Sequence, residues 1–172
     1  MNIRAATRSD IPEIQSVYAY HVLNGVGTFE ESPPSVEEML ERHTKILGSG
    51  GSFIVAADET GILGYAYFNQ IRDRSAYRFT AEDSIYVRED VRGQGVGKAL
   101  VAQLLVDAER AGYRQMVAVI GDSENTGSIG VHASLGFQRA GCLRASGFKF
   151  GRWVDTVYMQ RAVGTGDTAL PD

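Results

Sequence analysis

A glycine-rich turn placed directly after an apolar segment sets the tightest limit on how this chain folds. Residues 80–87, Thr-Ala-Glu-Asp-Ser-Ile-Tyr-Val, indicate a strand, and residues 92–98, Arg-Gly-Gln-Gly-Val-Gly-Lys, follow it. The apolar residues beyond the turn recur at helical spacing: Leu100, Leu104, Leu105 and Ala108. Glycines let backbone amides ahead of a helix point at an anion, which the helix dipole also attracts. We interpret the turn as phosphate-binding, with an exposed turn shaped by glycines alone as the alternative.

The spacing within the turn separates three phosphate-binding patterns. A Walker A loop is excluded because Arg92 stands where a glycine is needed and Ala99 follows Lys98. A dinucleotide fingerprint is excluded because its third glycine falls on Lys98. The pattern Q/R-x-x-G-x-G/A is matched in full by Arg92-Gly93-Gln94-Gly95-Val96-Gly97.

The other segments alternate between helix and strand periods. Residues 3–6 indicate a strand, and the next helix is expected to be capped by Ser9 or Asp10, with Glu13 closing a capping box on Asp10. A Ser35–Glu38 capping box starts a second helix. The further predicted strands are 52–58, 62–68, 80–87, 116–120, 139–144 and 153–160. This order predicts one mixed α/β (α+β) domain over residues 1–163 and a disordered tail at 164–172.

Composition limits the environment and partners. The formal net charge of −4 argues against a nucleic-acid partner, because no basic excess neutralises phosphates. The charged N-terminus lacks the apolar stretch of a signal peptide, no membrane span is expected, and a single cysteine fits a cytoplasmic location. No metal site is predicted, because the three histidines and Cys142 show no ligand spacing.

The chain resembles the GNAT superfamily of N-acetyltransferases over residues 3–160. The turn at 92–98 resembles its coenzyme A pyrophosphate loop, and Asn-Thr-Gly-Ser at 125–128, ahead of a helix that ends in Gly-Phe, resembles its next signature. Longer strings, TFEE with PPSVEE, AEDSIYV, AVIGDSENTGSI and GFKFGRWVD, are similar to the phosphinothricin N-acetyltransferase group, which also includes methionine sulfoximine and methionine sulfone acetyltransferases.

This resemblance implies a mixed sheet that is splayed at the acetyl-CoA site and flanked by helices. It also implies acetyl-CoA as donor, the α-amine of a small amino-acid-like substrate as acceptor, and a homodimer. The cofactor-binding residues carried over are Ile85, Tyr86, Val87, Arg92, Gly93, Gln94, Gly95, Val96, Gly97, Lys98, Asn125 and Ser128. Capping of the following helix is the alternative use of Asn125. A protein or peptide acetyltransferase and a non-catalytic acyl-CoA sensor are the alternative functions.

Acetyl transfer to an amine requires a base for the ammonium and a proton for the departing thiolate. Glu82 is the candidate base, since it lies on a predicted strand and the matching family glutamate has this role; a surface salt bridge is the alternative. His132 occupies the place where many superfamily members have an acidic tyrosine, and it is expected to be either catalytic or structural. Tyr86 and Tyr158 are weaker candidates for the acid.

The acceptor is expected to carry an oxyanion, which the planar guanidinium group of arginine recognises well. The substrate-binding residues predicted from the resemblance are Phe29, Arg72, Arg74, Ser75, Ala76 and Tyr77. For the arginines, a solvated charged loop is the alternative. Phe29 and Glu30 are placed on a mobile first loop that closes the pocket. Lys149 and Trp153 are assigned either to the pocket or to a dimer contact.

Overall fold

The computed structural model describes residues 1–171, which contain seven strands and four α-helices. The strands are β1 (Asn2–Ala5), β2 (Ser52–Asp58), β3 (Gly61–Gln70), β4 (Thr80–Val87), β5 (Gln115–Gly121), β6 (Gln138–Lys149) and β7 (Arg152–Ala162). The helices are α1 (Ile11–Asn24), α2 (Val36–Gly48), α3 (Val96–Arg110) and α4 (Thr126–Ser134). Single 3-10 turns cover Arg8–Asp10, Ser75–Tyr77 and Glu89–Val91.

All seven strands form one mixed sheet in the order β1-β2-β3-β4-β5-β7-β6. Adjacent strands in this sheet run antiparallel, except β4 and β5, which run parallel. A parallel pair needs a crossover, and α3 supplies it on one face of the sheet. The predicted α/β order and mixed sheet are confirmed. The last two strands are longer than predicted, because Phe150 and Gly151, both at positive φ, close them into one tight hairpin.

A separate apolar core fills each face of the sheet. On one face, the buried residues of α3, such as Leu100 and Leu104, pack against β2, β3 and β4. On the other face, α1 and α2 pack through residues such as Ile14 and Met39 on an aromatic layer. That layer is made of Phe53, Tyr65, Tyr67 and Tyr86. One face of β4 therefore lies against the core formed with α3, and the other face belongs to the aromatic layer under α1 and α2.

The first predicted capping box is wrong. Thr7 and Asp10 form a box around the 3-10 turn instead, and the Asp10 carboxylate also receives two hydrogen bonds from Arg4 at 2.7 and 2.8 Å. Glu13 accepts a hydrogen bond from the Ile62 amide at 2.8 Å, so it ties α1 to β3. These long-range partners outcompete the local box. The predicted Ser35–Glu38 box is confirmed.

The segment predicted as a disordered tail contains turns that return to the domain. The Gly166 amide donates to Val163 O at 3.0 Å, and the Thr168 amide donates to Thr165 O at 3.1 Å. Gly166 is buried beside Ala162. The described part of the tail, residues 164–171, is therefore anchored at its start, and Asp172 lies outside the described residues.

Candidate active site

The parallel strands β4 and β5 separate along their length, and we call the point of separation the fork. Their pairing runs from Thr80 with Gln115 to Asp83 with Ala118, while β4 continues to Val87 and β5 continues to Gly121. Arg88 N donates to Leu63 O of β3 at 2.8 Å, so alternation turns the peptide groups of Val87 and Ile85 toward the gap. The gap therefore offers an extended ligand a strand edge that β5 leaves unpaired.

The glycine turn lies at the open end of this gap. Gly93 and Gly95 have φ of +75° and +84°, the left-handed conformation that favours glycine. Ala99 N to Gly95 O opens the helical hydrogen-bond series of α3, which leaves the preceding amides without helical partners. A methyl group at Gly97 would lie 3.3 Å from Ile85 Cδ1, so the first turn of α3 lies close against β4. The turn thus has amides that α3 does not use, and Arg92 is held to Glu89 at 2.7 Å. Phosphate binding by this turn stays a prediction.

The start of α4 lies after the end of β5 on the other side of the gap. Asn125 caps this helix, because its Oδ1 accepts from Ser128 N at 3.2 Å, and its Nδ2 donates to Gly121 O at 3.3 Å. The capping alternative for Asn125 is therefore realised. Contact of Asn125 and Ser128 with a cofactor stays a prediction.

Glu82 lies near the closed end of the gap, on the face that carries α1 and α2. Its side chain is 31% exposed, and Arg72 Nη1 lies 4.0 Å from its Oε2. Burial raises the pKa of this carboxyl, the charge of Arg72 lowers it, and Asp83 raises it, with a net upward shift. A carboxylate that is reachable by solvent and has a raised pKa can accept a proton from an ammonium group.

His132 lies on the opposite face and is almost inaccessible, with its side chain 1% exposed. Nδ1 donates to Ser128 O at 2.8 Å, since a carbonyl oxygen can only accept, and Nε2 lies 3.0 Å from Asp83 Oδ2. Burial lowers the pKa of the imidazole, but the hydrogen bond and charge of Asp83 outweigh it, so the pKa is raised. With both ring nitrogens occupied, this geometry favours the structural alternative for His132.

The predicted arginine loop is exposed and folds beside Glu82. Gln70 Nε2 donates to Arg72 O at 2.5 Å and to Arg74 O at 3.0 Å, which fixes the start of the loop. The structure brings Arg72 to the Glu82 carboxylate. The other predicted residues of the loop line the 3-10 turn and face solvent: Arg74, Ser75, Ala76 and Tyr77.

The first loop, residues 25–35, is fastened to the β6–β7 hairpin. Lys149 Nζ donates to Gly25 O at 2.8 Å and to Thr28 O at 2.9 Å, and the lysine is 1% exposed. A methyl group at Gly147 would collide with the Phe29 ring, and one at Gly121 would lie 3.2 Å from it. Phe29 therefore fills a slot that glycines leave open. The sequence did not reveal this use of Lys149, because the hairpin and the loop that it connects are far apart in the chain.

The sequence also missed His21, which contacts the wall of the gap. Its Nε2 donates to Val87 O at 2.8 Å, so α1 holds the exposed edge of β4 near the glycine turn. Burial lowers the pKa of this imidazole, although the bond to Val87 opposes the shift. The only signal in the sequence was that His21 lies on α1, a helix with one face against the sheet.

Taken together, a mixed sheet with a forked parallel pair, an amide-lined turn at the fork's mouth and a carboxylate near its closed end define an acyltransferase-type site. The chain belongs to the GNAT acetyltransferase family, whose model, described as an acetyltransferase (GNAT) domain, matches residues 3–158. The predicted family and fold are confirmed. Within residues 1–171, no group of three metal-ligating side chains and no helix long and apolar enough to cross a membrane is found.

Characterised relatives match nearly the whole chain. A phosphinothricin N-acetyltransferase from Alcaligenes faecalis is 49% identical over 170 residues, which are 99% of this chain and 86% of that protein. An L-methionine sulfoximine/L-methionine sulfone acetyltransferase from Pseudomonas aeruginosa is 38% identical over 160 residues, covering 92% of each chain. The crystal structure of a GNAT superfamily phosphinothricin acetyltransferase from Sinorhizobium meliloti in complex with AcCoA has a TM-score of 0.96, 46% identity and coverage of 99% and 92%.

Proposed function

We propose that this protein transfers the acetyl group of acetyl-CoA to the α-amine of a small amino-acid analogue of the phosphinothricin, methionine sulfoximine or methionine sulfone type. The observation that carries this proposal is the fork, with an amide-lined turn at its mouth and a half-buried carboxylate near its closed end. The relatives named above act on these acceptors, and one is similar to this chain in structure with AcCoA bound.

The donor fits the gap from its mouth inward. The amides and positive end of α3 suit the diphosphate. The gap-facing peptide group of Ile85 and the amide of Val87, whose carbonyl is taken by His21, suit the amide groups of the pantetheine arm. From Val87 to Glu82 the strand runs roughly 17 Å. A donor held at both places would present its thioester next to the Glu82 carboxylate.

The transfer then needs no covalent enzyme intermediate. Glu82 takes a proton from the acceptor ammonium, directly or through water, and the freed amine attacks the thioester carbonyl. A backbone amide of β4 that faces the gap just beyond the last pair with β5, that of Ile85, stabilises the oxyanion. The carbonyl re-forms, the carbon–sulfur bond breaks, the attacking nitrogen loses its second proton to solvent, and the CoA thiolate takes up a proton from solvent. His132 is left as the partner of Asp83, and no side chain is assigned as the acid.

The acceptor is held on the exposed side of Glu82. Arg72, which already lies beside the Glu82 carboxylate, is placed to pair with the acceptor carboxylate. Arg74 and Tyr77 extend the same loop, and Phe29 of the first loop lies on the other side. A protein or peptide acetyltransferase is disfavoured, because an arginine-bearing loop repels a basic peptide. A sensor without activity would have no use for Glu82.

Release of free thiol from acetyl-CoA tests the proposal. The purified protein is incubated with acetyl-CoA and each of the three acceptors, with a basic peptide as the comparison substrate. We expect acceptor-dependent thiol release with at least one amino-acid analogue and none above background with the peptide. Absence of turnover with every small amine would overturn the proposal.

We also propose that the protein is a homodimer and that it is located in the cytoplasm. Phe148, Phe150 and Trp153 are each more than half exposed on the β6–β7 hairpin, and such a cluster of large apolar side chains suits an interface. Acetyl-CoA is an intracellular metabolite, which supports the location. Light scattering coupled to gel filtration should give twice the chain mass, and Trp153→Glu should reduce it to one chain mass.

A further inference from the structure

A cavity of about 350 Å³ lies between α2 and the aromatic layer on β2 and β3. This volume falls in the range of ligand pockets, about 300–1,000 Å³. We call it the aromatic cavity. Its walls include four aromatic and two basic side chains: Tyr18, Phe53, Tyr65, Tyr67, Arg42 and Lys45. None of these residues is part of the donor site described above.

The aromatic cavity opens beside the candidate base. Asn69, which lines the cavity, pairs across the sheet with Glu82, so the two side chains leave the same face of the sheet. Gln70, another lining residue, holds the arginine loop through its bonds to Arg72 O and Arg74 O. The cavity is thus continuous with the place proposed for the acceptor amine and carboxylate.

The cavity walls suit an unbranched or flat apolar group. The rings of Phe53 and Tyr67 stack at 5.2 Å with an interplanar angle of 17°, and those of Phe53 and Tyr65 at 5.5 Å and 6°. These parallel rings form a floor, and Met39 and Ile46 of α2 close the opposite side. Arg42 is already held by Glu30 at 2.6 and 3.1 Å, so Lys45 is the basic group left to meet a polar tip, and Asp73 adds a carboxylate to the lining.

We infer that the aromatic cavity receives the side chain of the acceptor and so selects its class. This inference rests on the proposed function. With the amine at Glu82 and the carboxylate at Arg72, the side chain at the acceptor α-carbon points toward Asn69 and the cavity. The preferred acceptors are α-amino acids with a long unbranched or aromatic side chain, which displaces water from the aromatic floor. Short acceptors such as alanine do not displace the water from the cavity.

Filling the aromatic cavity tests this inference. Met39→Trp fills it from the buried side and Ser49→Trp fills it from the rim at the end of α2, where folding is little affected. Thr44→Trp, exposed on the same helix and outside the lining, is the matched control. The probes are methionine sulfone and phenylalanine as long acceptors, with alanine and 2-aminobutyrate as short ones.

We expect kcat/KM for the long acceptors to fall roughly 10-fold or more in the cavity-filling variants, since a methylene-sized misfit already costs 10–200-fold. The KM for acetyl-CoA and turnover of the short acceptors should stay near wild type, as should all values for Thr44→Trp. Equal losses for long and short acceptors, or no loss in either folded variant, would overturn the inference. If wild type turns over no amine at all, the proposed function itself fails, which is a different result.

Discussion

Glu82 and Asp83 are adjacent in the chain and carry the same chemical group, yet the structure gives them opposite environments. Glu82 lies on the α1–α2 face with 31% of its side chain exposed, and its only ion-pair neighbour among residues 1–171 is Arg72 at 4.0 Å. Asp83 lies on the α3–α4 face with 2% exposed and is bonded to the buried His132. Strand alternation alone places them on opposite faces.

The two environments suit two different roles: that of Glu82 suits proton transfer, and that of Asp83 suits structural support. A base must release its proton again and reach the substrate, so it needs solvent access and a moderate shift in pKa. Asp83, which is buried and bonded to an imidazole, lacks that solvent access. Asp83 is also the last β4 residue that pairs with β5, so its bond to His132 holds α4 to the sheet at the fork. In the proposed mechanism, Glu82 takes the proton of the acceptor, while Asp83 holds α4 to the sheet.

Replacing Glu82 should give the largest effect on rate. In Glu82→Gln the base is lost while the shape is kept, so we expect kcat to fall roughly 10²- to 10⁴-fold, the usual contribution of a general base. The melting temperature and the KM for acetyl-CoA should change little. Steady-state kinetics and a thermal melt measure these values. An unchanged kcat would remove Glu82 from the mechanism.

Replacing His132 should instead produce the largest effect on stability. His132→Leu leaves Asp83 buried without its partner, which typically costs about 3–5 kcal/mol. For a chain of this size, that lowers the melting temperature by roughly 6–20 °C. The double variant Asp83→Leu/His132→Leu should recover part of the loss. If kcat collapsed at a temperature where the single variant is folded, with the melt unchanged, His132 would belong with Glu82.

Much of this comparison could be read from the sequence. The alternating pattern of residues 80–87 placed Glu82 and Asp83 on different faces, and the glycine spacing located the turn before α3. The Ser35–Glu38 box succeeded because both partners are local. These features depend on residues within a few positions of one another, which is the range that periodicity and capping rules describe.

The rest depends on partners that are distant in the chain. Nothing near His132 shows that Asp83, 49 residues earlier, takes its Nε2. Lys149 bonds to Gly25 and Thr28 across more than 120 positions. The point at which β4 and β5 part is likewise set by how the whole sheet pairs. Sequence patterns identified which residue types could act, and the fold decided which of them reach the gap.

The stability of the Asp83–His132 pair should depend on pH. Asp83 raises the folded-state pKa of His132 above its ordinary value near 6.5, so the contribution is complete below that value. It should be lost as the pH rises through the raised folded pKa. A tenfold difference in proton affinity corresponds to about 1.4 kcal/mol. Wild-type melting temperature should therefore fall from pH 6 to pH 9 more steeply than that of the double leucine variant. Equal slopes of melting temperature against pH in the two proteins would contradict a proton held between Asp83 and His132.

The smallest effect should come from Arg72, because its side chain is 60% exposed and 4.0 Å from Glu82. Its charge lowers the Glu82 pKa against the larger effect of burial, so Arg72→Gln should move the acid limb of the kcat profile to higher pH. An exposed pair is worth about 0.2–1 kcal/mol, which limits the displacement to a few tenths of a pH unit. Added salt should shrink it further.

Arg74→Gln, two positions along the same exposed loop, is the control for this last effect. It should leave the acid limb in place, because the arginine charge that lowers the Glu82 pKa is that of Arg72. A rise in the KM for the amine would report contact with the acceptor carboxylate and can occur in either variant. If the acid limb moved to lower pH in Arg72→Gln, a group other than Glu82 would be titrating. Glu82 would then no longer be the base, and the contrast in role between Glu82 and Asp83 would fail.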